Sequence, residues 1–442
     1  MNSYLKTYIV AVFFLIFLNI FCWYLGFAGC HIYLKDSYEY LHQAENLKAG
    51  NYWYSGDMSQ PFNEDLVSQR PPLYGFMILL FKFITTNDHF ILFLQCIVSV
   101  LNFCLILKLL KVGRVEASYP ILLFLPLIFF PTQMIYTNMI MSELLCQAMV
   151  SLSFYFLVLF LIRHRIRDLF LFNIFISLAI LTKPVWYLFW IPALLFMMYL
   201  VYYKRISLIH LFFVVIPVAT VFLICLHNYN QTGYFHYSSV KRTNMENYNV
   251  YLTLIQNHSQ NETFKQIMDA RDTAETKGSY KAYCEYVESS NAKIIKDNLP
   301  TYLWLETKGI FNFFIDHGRF DLYSFFDAPP TENMNGMPWY YRQEGIKGVL
   351  NYLSQFPIGL LVYLPIICLV NVFIAICFIF FLFNKKVSLE IRIAAFLFVF
   401  YLAIITGPIG AARFRMPIYP ILLFTLPFGM ATIKRIITPR NK

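Results

Sequence analysis

The feature that most constrains this chain is a series of apolar runs long enough to cross a lipid bilayer, which takes about 20 residues in a helix. Because the hydrocarbon core satisfies no main-chain polar group, such runs must be helical. We predict ten spans, at residues 7–27, 90–112, 117–136, 141–162, 168–183, 184–203, 206–228, 356–384, 390–408 and 414–433. The predicted fold class is an all-α polytopic membrane protein.

An eleventh apolar run, residues 71–86, begins with two prolines and contains Lys82. At 1.5 Å per residue it reaches only about 24 Å, short of the roughly 30 Å hydrocarbon core. We therefore predict an interfacial or re-entrant helix here, one of the interfacial helices that follow the first span.

The charges fit ten spans with both termini in the cytoplasm. The pieces that then face the cytoplasm hold sixteen Lys and Arg but only three acids, as the positive-inside rule requires. The net charge of +10 divides into +13 inside and −3 outside, so it needs no nucleic-acid partner. A composition of 58% hydrophobic and 14% charged residues also excludes a soluble or disordered chain.

Two long segments face the exterior in this topology, residues 28–89 and 229–355, and they contain 21 of the 25 carboxylates. We predict three units: residues 1–228 with the first exterior loop, a mainly helical cap at 229–355, and the transmembrane helices of 356–442. Cys30 and Cys284 are both exterior, and nothing in the sequence says whether they pair. No Cys/His spacing indicates a metal site.

Glu143 is the one acid within a hydrophobic segment, near the exterior end of the fourth predicted span. An ionisable residue at membrane depth is a functional candidate because it is costly to bury there. A carboxylate at a helix start is also favoured by the helix dipole. The sequence leaves both interpretations open.

Asp36 follows the first span by a few residues, so it should lie close to the exterior surface of the membrane. Asp36, Tyr40 and Ala44 are spaced four apart and share one face of a helix. A carboxylate at this place can act as a general base toward a hydroxyl or amine. It can equally cap the helix that follows.

Four basic residues on the exterior side form a third feature. Arg70 and Lys183 each precede a proline, and Arg413 and Arg415 stand on either side of the first residue of the last predicted span. Snorkelling to lipid headgroups is one explanation for such residues. Arginine also clamps phosphate through paired hydrogen bonds, and lysine binds it as a point charge. Four cations around one exterior cavity would suit a lipid-borne phosphate or pyrophosphate.

Together these residues resemble the GT-C class of membrane glycosyltransferases, and in particular the bacterial branch of protein O-mannosyltransferases and lipid A aminoarabinose transferases. The segments that carry the resemblance are DSYEYLHQA, QRPPLYGF, YTNMIMSELL, LTKP and ARFRMPIYP, in the same order over most of the chain. The resemblance implies that a sugar moves, with inversion, from a polyprenyl-phosphate donor to a glycan, lipid or protein acceptor. It also implies the bacterial inner membrane and a reaction on its exterior, periplasmic face.

The resemblance further implies roles for individual residues. Asp36 would be the general base, Glu143 would support the acceptor or a cation, and Arg70 would hold the donor phosphate. Many relatives have Asp-Glu where this chain has Asp36-Ser37, so the role of that Glu is absent or falls to Glu39. Tyr40 would support the site. The other exterior cations would line the donor site: Lys183, Arg413 and Arg415.

No cofactor is expected. A divalent metal is an option, but the number of cations favours stabilisation of the leaving phosphate without one. One alternative function is a polysaccharide polymerase or ligase that uses a lipid-pyrophosphate donor. A flippase for lipid-linked glycans is disfavoured, because its charges should lie at the midplane between repeated halves.

Overall fold

A computed structural model describes residues 3–29, 31–50, 53–112, 127–326 and 337–437 of the chain. These residues form helices, turns and loops, with no β-strand among them. The predicted all-α membrane fold is confirmed. Cys30 lies outside the described residues, and so does the question of its pairing with Cys284.

The described residues of the amino-terminal part, up to residue 232, form ten helices. They are α1 Ser3–Phe27, α2 Lys35–Lys48, α3 Asp65–Ser68, α4 Pro72–Lys82, α5 Asp88–Val112, α6 Pro131–Thr137, α7 Glu143–Arg163, α8 Ile166–Thr182, α9 Trp190–Tyr202 and α10 Val215–Thr232. Short 3₁₀ turns at Pro184–Trp186 and Leu208–Val214 precede α9 and α10.

The cap, residues 229–355, adds a second group of helices. They are α11 Val240–Asn244, α12 Tyr251–Leu254, α13 Gln260–Glu275, α14 Tyr280–Asp297, α15 Leu299–Ile315, α16 Arg319–Phe325 and α17 Met337–Leu353, with a π-helical turn at Met245–Val250. The prediction that the cap is mainly helical is confirmed for its described residues. The carboxyl-terminal helices are α18 Ile358–Leu382, α19 Leu389–Ile405, α20 Ala412–Arg415 and α21 Tyr419–Ile437.

Seven helical segments of the described chain are long and apolar enough to cross a membrane. They are Ile9–Phe27, Asp88–Val112, Glu143–Arg163, Pro184–Tyr202, Leu208–Thr232, Ile358–Leu382 and Ala412–Ile437. Two more predicted spans correspond to α8 and α19, apolar helices of 17 residues each. Of the remaining predicted span, 117–136, residues 117–126 lie outside the described part, and α6 covers its end.

The run at 71–86 forms α4, which has only 11 residues. A helix of that length rises about 17 Å, too little to cross the bilayer. Its last residue, Lys82, pairs with Asp88 at the start of α5. The run is therefore a short helix outside the set of spans, as predicted.

Spans α7 and Ala412–Ile437 are the most buried, and α1 is the most exposed. Helix α7 packs chiefly against α8, and α21 packs chiefly against α18. Residues from these helices form one large apolar core, which continues into α15 and α16 of the cap. Towards the cap, α8 packs against α4 of the first loop, and Tyr40 of α2 lies 2.7 Å from Ser142, directly before α7. We call this side of the spans the cap side.

Candidate active site

Asp36 lies on the cap side, at the start of α2. Its carboxylate is held between two arginines: Arg70 Nη2 lies 2.8 Å from Oδ1, and Arg413 Nη2 lies 2.7 Å from Oδ2. The N-cap position of α2 is Leu34, whose N–H donates to Ser37 Oγ. The Asp36 side chain is therefore engaged in ion pairs and does not cap the helix.

Two prolines account for the position of Arg70. Pro71 and Pro72 lack an N–H and disfavour a helix at the preceding residue, so the chain is extended at Pro71 and α4 begins at Pro72. The Arg70 carbonyl accepts a hydrogen bond from the buried Gln43 Nε2 at 3.0 Å, which ties this corner to α2. The guanidinium also pairs with Glu39, with Nε 2.5 Å from Oε2.

Tyr40 packs against the Arg70 guanidinium. Its buried ring lies under the Arg70 guanidinium, 5.4 Å from ring centre to Cζ, and its hydroxyl lies 2.7 Å from Ser142 Oγ. Ala44 is buried on the same face of α2. One face of α2 thus supplies both a carboxylate for the arginine and an aromatic platform below it.

Glu143 is the first residue of α7 and is fully buried. Its Oε1 pairs with Lys183 Nζ at 2.7 Å and with Arg413 Nε. Lys183 reaches it because Pro184 disfavours a helix at Lys183, so α8 ends and the backbone becomes extended. Glu143 is thus both a helix-start carboxylate and a partner of two cations. Its Oε2 has no hydrogen-bond partner among the described residues.

A tight turn before α20 presents Arg413 to the acids. Gly410 has φ +53°, and a Cβ at this position would overlap the Gly309 carbonyl of α15. Only glycine combines this conformation with so close a packing. The Ala412 N–H donates to Asp316 Oδ2 at 2.6 Å, which fixes the end of the turn.

Arg415 requires a correction. The sequence predicted that it lines the donor site beside Arg413, but its guanidinium points to the end of α15. It donates to the carbonyls of Phe313, Phe314 and Asp316 at 2.9, 2.5 and 3.0 Å. The last carbonyls of a helix lack partners within the helix, so Arg415 satisfies them and anchors the turn. The structure does not bring it to the carboxylates.

The residues that do converge form what we call the active-site cluster: Asp36, Glu39, Arg70, Glu143, Lys183 and Arg413. Three negative and three positive groups make it neutral overall. Burial raises the pKa of Asp36, but the charges of Arg70 and Arg413 outweigh burial and lower it to about 2. Burial raises the pKa of Glu39, with Arg70 opposing. Asp36 is therefore a carboxylate at neutral pH.

A buried acid that no pattern in the sequence indicated lies behind Arg413. Asp321 in α16 accepts hydrogen bonds from Tyr136 and Thr132 of α6, each at 2.9 Å. The Tyr136 ring lies against the Arg413 guanidinium, 5.4 Å from centre to Cζ. Tyr136 opens the segment YTNMIMSELL and was within reach of the sequence reasoning. Asp321 was one of many acids in the cap, and no spacing distinguished it.

Metal ligands do not gather in the part of the chain that the structure describes: no group of three or more His, Cys, Asp or Glu could hold an ion there. In the cluster, the carboxylates of Asp36, Glu39 and Glu143 each face one or two cations.

This arrangement combines two chemical capacities. Arg70, Arg413 and Lys183 offer several N–H donors to one anion, with arginine forks suited to a phosphate. Asp36 offers an ionised carboxylate beside them, and Glu143 Oε2 offers an acceptor oxygen without a partner among the described residues. The cluster can hold an anionic leaving group while it takes a proton from a neutral nucleophile.

Comparison with known proteins bears on residues 69–228. They match the model of the dolichyl-phosphate-mannose-protein mannosyltransferase family, a membrane glycosyltransferase domain of the GT-C type. The matched range covers somewhat more than a third of the chain and contains Arg70, Glu143 and Lys183. A search of curated proteins found no match for the chain.

Proposed function

We propose that the chain is a membrane glycosyltransferase of the GT-C type, as the match over residues 69–228 supports, and that it moves a single sugar from a polyprenyl-phosphate donor to an acceptor, with inversion at the anomeric carbon. The reaction takes place on the cap side, which is the exterior face of the membrane, and both termini are cytoplasmic. The observation that supports this proposal most is that Asp36 lies between Arg70 and Arg413, and that Arg413 also pairs with Glu143, the partner of Lys183.

The donor phosphate binds in place of Asp36 between the two arginines. Both arginines have a second acid partner, Glu39 for Arg70 and Glu143 for Arg413, so neither loses all its partners when the phosphate enters. As the bond from C1 to the phosphate oxygen breaks, positive charge develops on the sugar and negative charge on the phosphate. Cations fixed beside that oxygen stabilise this transition state more than the ground state.

Asp36 acts as the general base. Displacement from the arginines removes the charges that lower its pKa, so the carboxylate becomes a stronger base when the donor is bound. The acceptor oxygen attacks C1 from the face opposite the phosphate, its proton passes to Asp36, and polyprenyl phosphate leaves. Glu143 Oε2 accepts a hydrogen bond from the acceptor, while Oε1 keeps Lys183 and Arg413 in place.

The test is Asp36→Asn in purified full-length protein, assayed with polyprenyl-phosphate mannose. The variant keeps the shape of the side chain but removes the base, so we expect transfer to fall by about 10²–10⁴-fold. Asp57→Asn is the control, since Asp57 is a partly exposed acid of the same loop outside the active-site cluster, and it should retain full activity. Full activity of Asp36→Asn, with the protein folded and inserted, would contradict the proposal.

One observation keeps a second function in view: three cations carry enough charge for a pyrophosphate. A polymerase or ligase with a lipid-pyrophosphate donor would use the same cluster. Parallel assays with polyprenyl-monophosphate and polyprenyl-pyrophosphate sugars separate the two functions. We expect turnover of the monophosphate donor, and turnover of the pyrophosphate donor alone would assign the second function.

A further inference from the structure

A groove of about 450 Å³ opens between the first loop and the cap, apart from the active-site cluster. Glu64 and Asp65 line it from the loop, and Glu275, Tyr280 and Tyr283 line it from α13 and α14. Its lining is therefore acidic and aromatic. The active-site cluster does not explain it, because none of these side chains contacts that cluster.

One wall of the groove is held rigidly by a buried arginine. Arg242 pairs with Asp65 and lies against the rings of Tyr280 and Tyr283, at 5.6 and 5.0 Å from the ring centres. The Tyr280 hydroxyl donates to Asp65 Oδ1 at 2.7 Å, and Arg242 Nη1 lies 2.5 Å from Cys284 Sγ. Loop and cap are thus joined by a network that keeps both rings in fixed orientations.

The charge of the groove selects among ligands. Three carboxylates line it, and the cations behind it are already paired, Arg242 with Asp65 and Arg271 with Glu246. Glu64 and Glu275 remain to accept hydrogen bonds from hydroxyl donors, and such charge-assisted bonds are stronger than neutral ones. An anionic ligand would be repelled. Flat rings beside carboxylates suit a sugar, whose C–H faces pack on aromatic surfaces while its hydroxyls bind the acids.

The groove is mechanically connected to the active site. Asp65 and Arg70 are five residues apart, so their Cα atoms lie at most about 18 Å from each other. The segment between them is anchored to the start of the cap: Ser68 Oγ lies 2.7 Å from His236 Nε2, and Ser239 Oγ donates to the Asp65 carbonyl at 2.7 Å. A ligand that occupies the groove is therefore held near the donor site.

We propose that this groove binds the acceptor, and that the acceptor is a neutral, hydroxyl-rich glycan; the acceptor role rests on the proposed function. A peptide acceptor is disfavoured because peptides are usually held by strand addition or by apolar side-chain pockets. The lining of this groove is polar, and its walls are helices and a loop. Specificity for the acceptor then resides in Glu64, Glu275 and the two tyrosines.

The experiment measures binding without the donor, so that it does not depend on turnover. Purified full-length protein in nanodiscs is titrated with mannotriose, a neutral trisaccharide, and with trigalacturonate, an acidic one, by saturation-transfer difference NMR. Glu275→Lys introduces a cation into the groove. Glu285→Lys is the matched control, an exposed acid of α14 outside the groove. Tyr283→Phe and Tyr286→Phe form a second, milder pair.

We expect the wild type to bind mannotriose about tenfold more tightly than trigalacturonate. Glu275→Lys should weaken mannotriose binding about tenfold and narrow the difference between the two probes. Glu285→Lys should bind as the wild type does, and Tyr283→Phe should weaken binding more than Tyr286→Phe.

Equal mannotriose binding by the two lysine variants would overturn the proposal, as would absence of binding by the wild type. Displacement of mannotriose by a neutral serine-rich peptide would reassign the groove to a protein acceptor. The proposed function would be contradicted by a different result, full transfer activity of Asp36→Asn. Failure of the groove proposal and failure of the proposed function are therefore distinguishable.

Discussion

Two polar networks of this molecule use arginine in different ways. In the cap, Arg242 has one carboxylate partner, and two tyrosine rings and a thiol occupy the rest of its guanidinium. In the active-site cluster, Arg70 and Arg413 each serve two carboxylates, and Asp36 serves both arginines. A group with one partner cannot lose it without leaving a buried charge alone, which is strongly destabilising. A group with shared partners can exchange one of them for a ligand. The network around Arg242 therefore has a structural role. The arginines of the active-site cluster can exchange a carboxylate partner for a ligand.

Among the variants that test this comparison, the largest effect should come from replacing an arginine that has two carboxylate partners while its charge is kept. Arg413→Lys retains a cation but loses the planar fork that reaches Asp36 and Glu143 together. We expect cleavage of polyprenyl-phosphate mannose to fall by about 100-fold, since a lost transition-state interaction of about 2.7 kcal/mol gives this ratio.

Arg415→Lys is the control for that variant. It removes hydrogen bonds to the end of α15, so it should lower the melting temperature in detergent while leaving donor cleavage per folded molecule within about threefold. Equal losses of cleavage in the two variants would mean that Arg413 has no special relation to the acids.

A smaller effect should come from the acid behind the cluster. Asp321→Asn alters the acceptor of the Tyr136 hydroxyl, and the ring that packs on Arg413 loses part of its support. We expect donor cleavage to fall about tenfold, which corresponds to about 1.4 kcal/mol of transition-state stabilisation. Asp297→Asn, at the exposed end of α14, should have no effect. A drop in substrate affinity without a drop in the maximal rate would contradict a positioning role.

The raised pKa of Asp321 predicts that the free energy of unfolding depends on pH. Burial raises the pKa of Asp321 from 3.8 to about 6, although hydrogen bonds from Tyr136 and Thr132 and the charge of Arg413 oppose the rise. Between about pH 4 and 6, the folded protein keeps a proton that the unfolded chain has lost. Stability should therefore fall as pH rises through this window, by about 3 kcal/mol at 1.36 kcal/mol per unit. Melting curves of wild type and Asp321→Asn should diverge over this range, and parallel curves would exclude the effect.

A still smaller effect on donor cleavage should come from an ion pair of the cap. Arg271 pairs with Glu246 on the cap, and its side chain is one-third exposed. We expect Arg271→Gln to lower the free energy of unfolding by more than about 1 kcal/mol, because the buried Glu246 loses its cationic partner. Donor cleavage should stay at the wild-type rate. A loss of cleavage comparable to that of Arg413→Lys would mean that the cap and cluster networks are coupled.

The smallest response should follow chelation of metals. We propose that the reaction needs no divalent metal, because side-chain cations already face the carboxylates of the cluster. Treatment with EDTA should leave donor cleavage by the wild type within a factor of about two. Loss of activity on EDTA, restored by Mg²⁺ or Mn²⁺, would show that an ion completes the site.

Much of the fold was predictable because the membrane imposes a strong pattern on the sequence. Apolar runs located the spans, and a short run with two prolines and Lys82 was correctly separated from them. Residues that stand at the ends of spans, such as Glu143 and Lys183, could be expected on one side because topology alone decides that. Their mutual contacts follow from local rules as well, since Pro184 ends a helix where the lysine is needed.

The parts that escaped prediction depend on tertiary contacts. Arg413 and Arg415 look alike in ARFRMPIYP, yet one meets carboxylates and the other meets main-chain carbonyls. The direction of each is set by the end of α15, a helix about 100 residues earlier in the chain. Asp321 escaped for the same reason, because only folding brings α16 against α6. Side chains whose partners are distant in sequence carry no periodic signal.

The neutrality of the active-site cluster has a consequence for the end of the catalytic cycle. In the proposed reaction, the donor phosphate carries one negative charge, whereas the released polyprenyl phosphate is a monoester with close to two at neutral pH. The cations should therefore grip the product more tightly than the substrate. Asp36, once it has lost its new proton, becomes the anion that competes for Arg70 and Arg413. We expect the ion pairs of Asp36 with Arg70 and Arg413 to displace the lipid phosphate as they form again. Release of that product should then limit turnover.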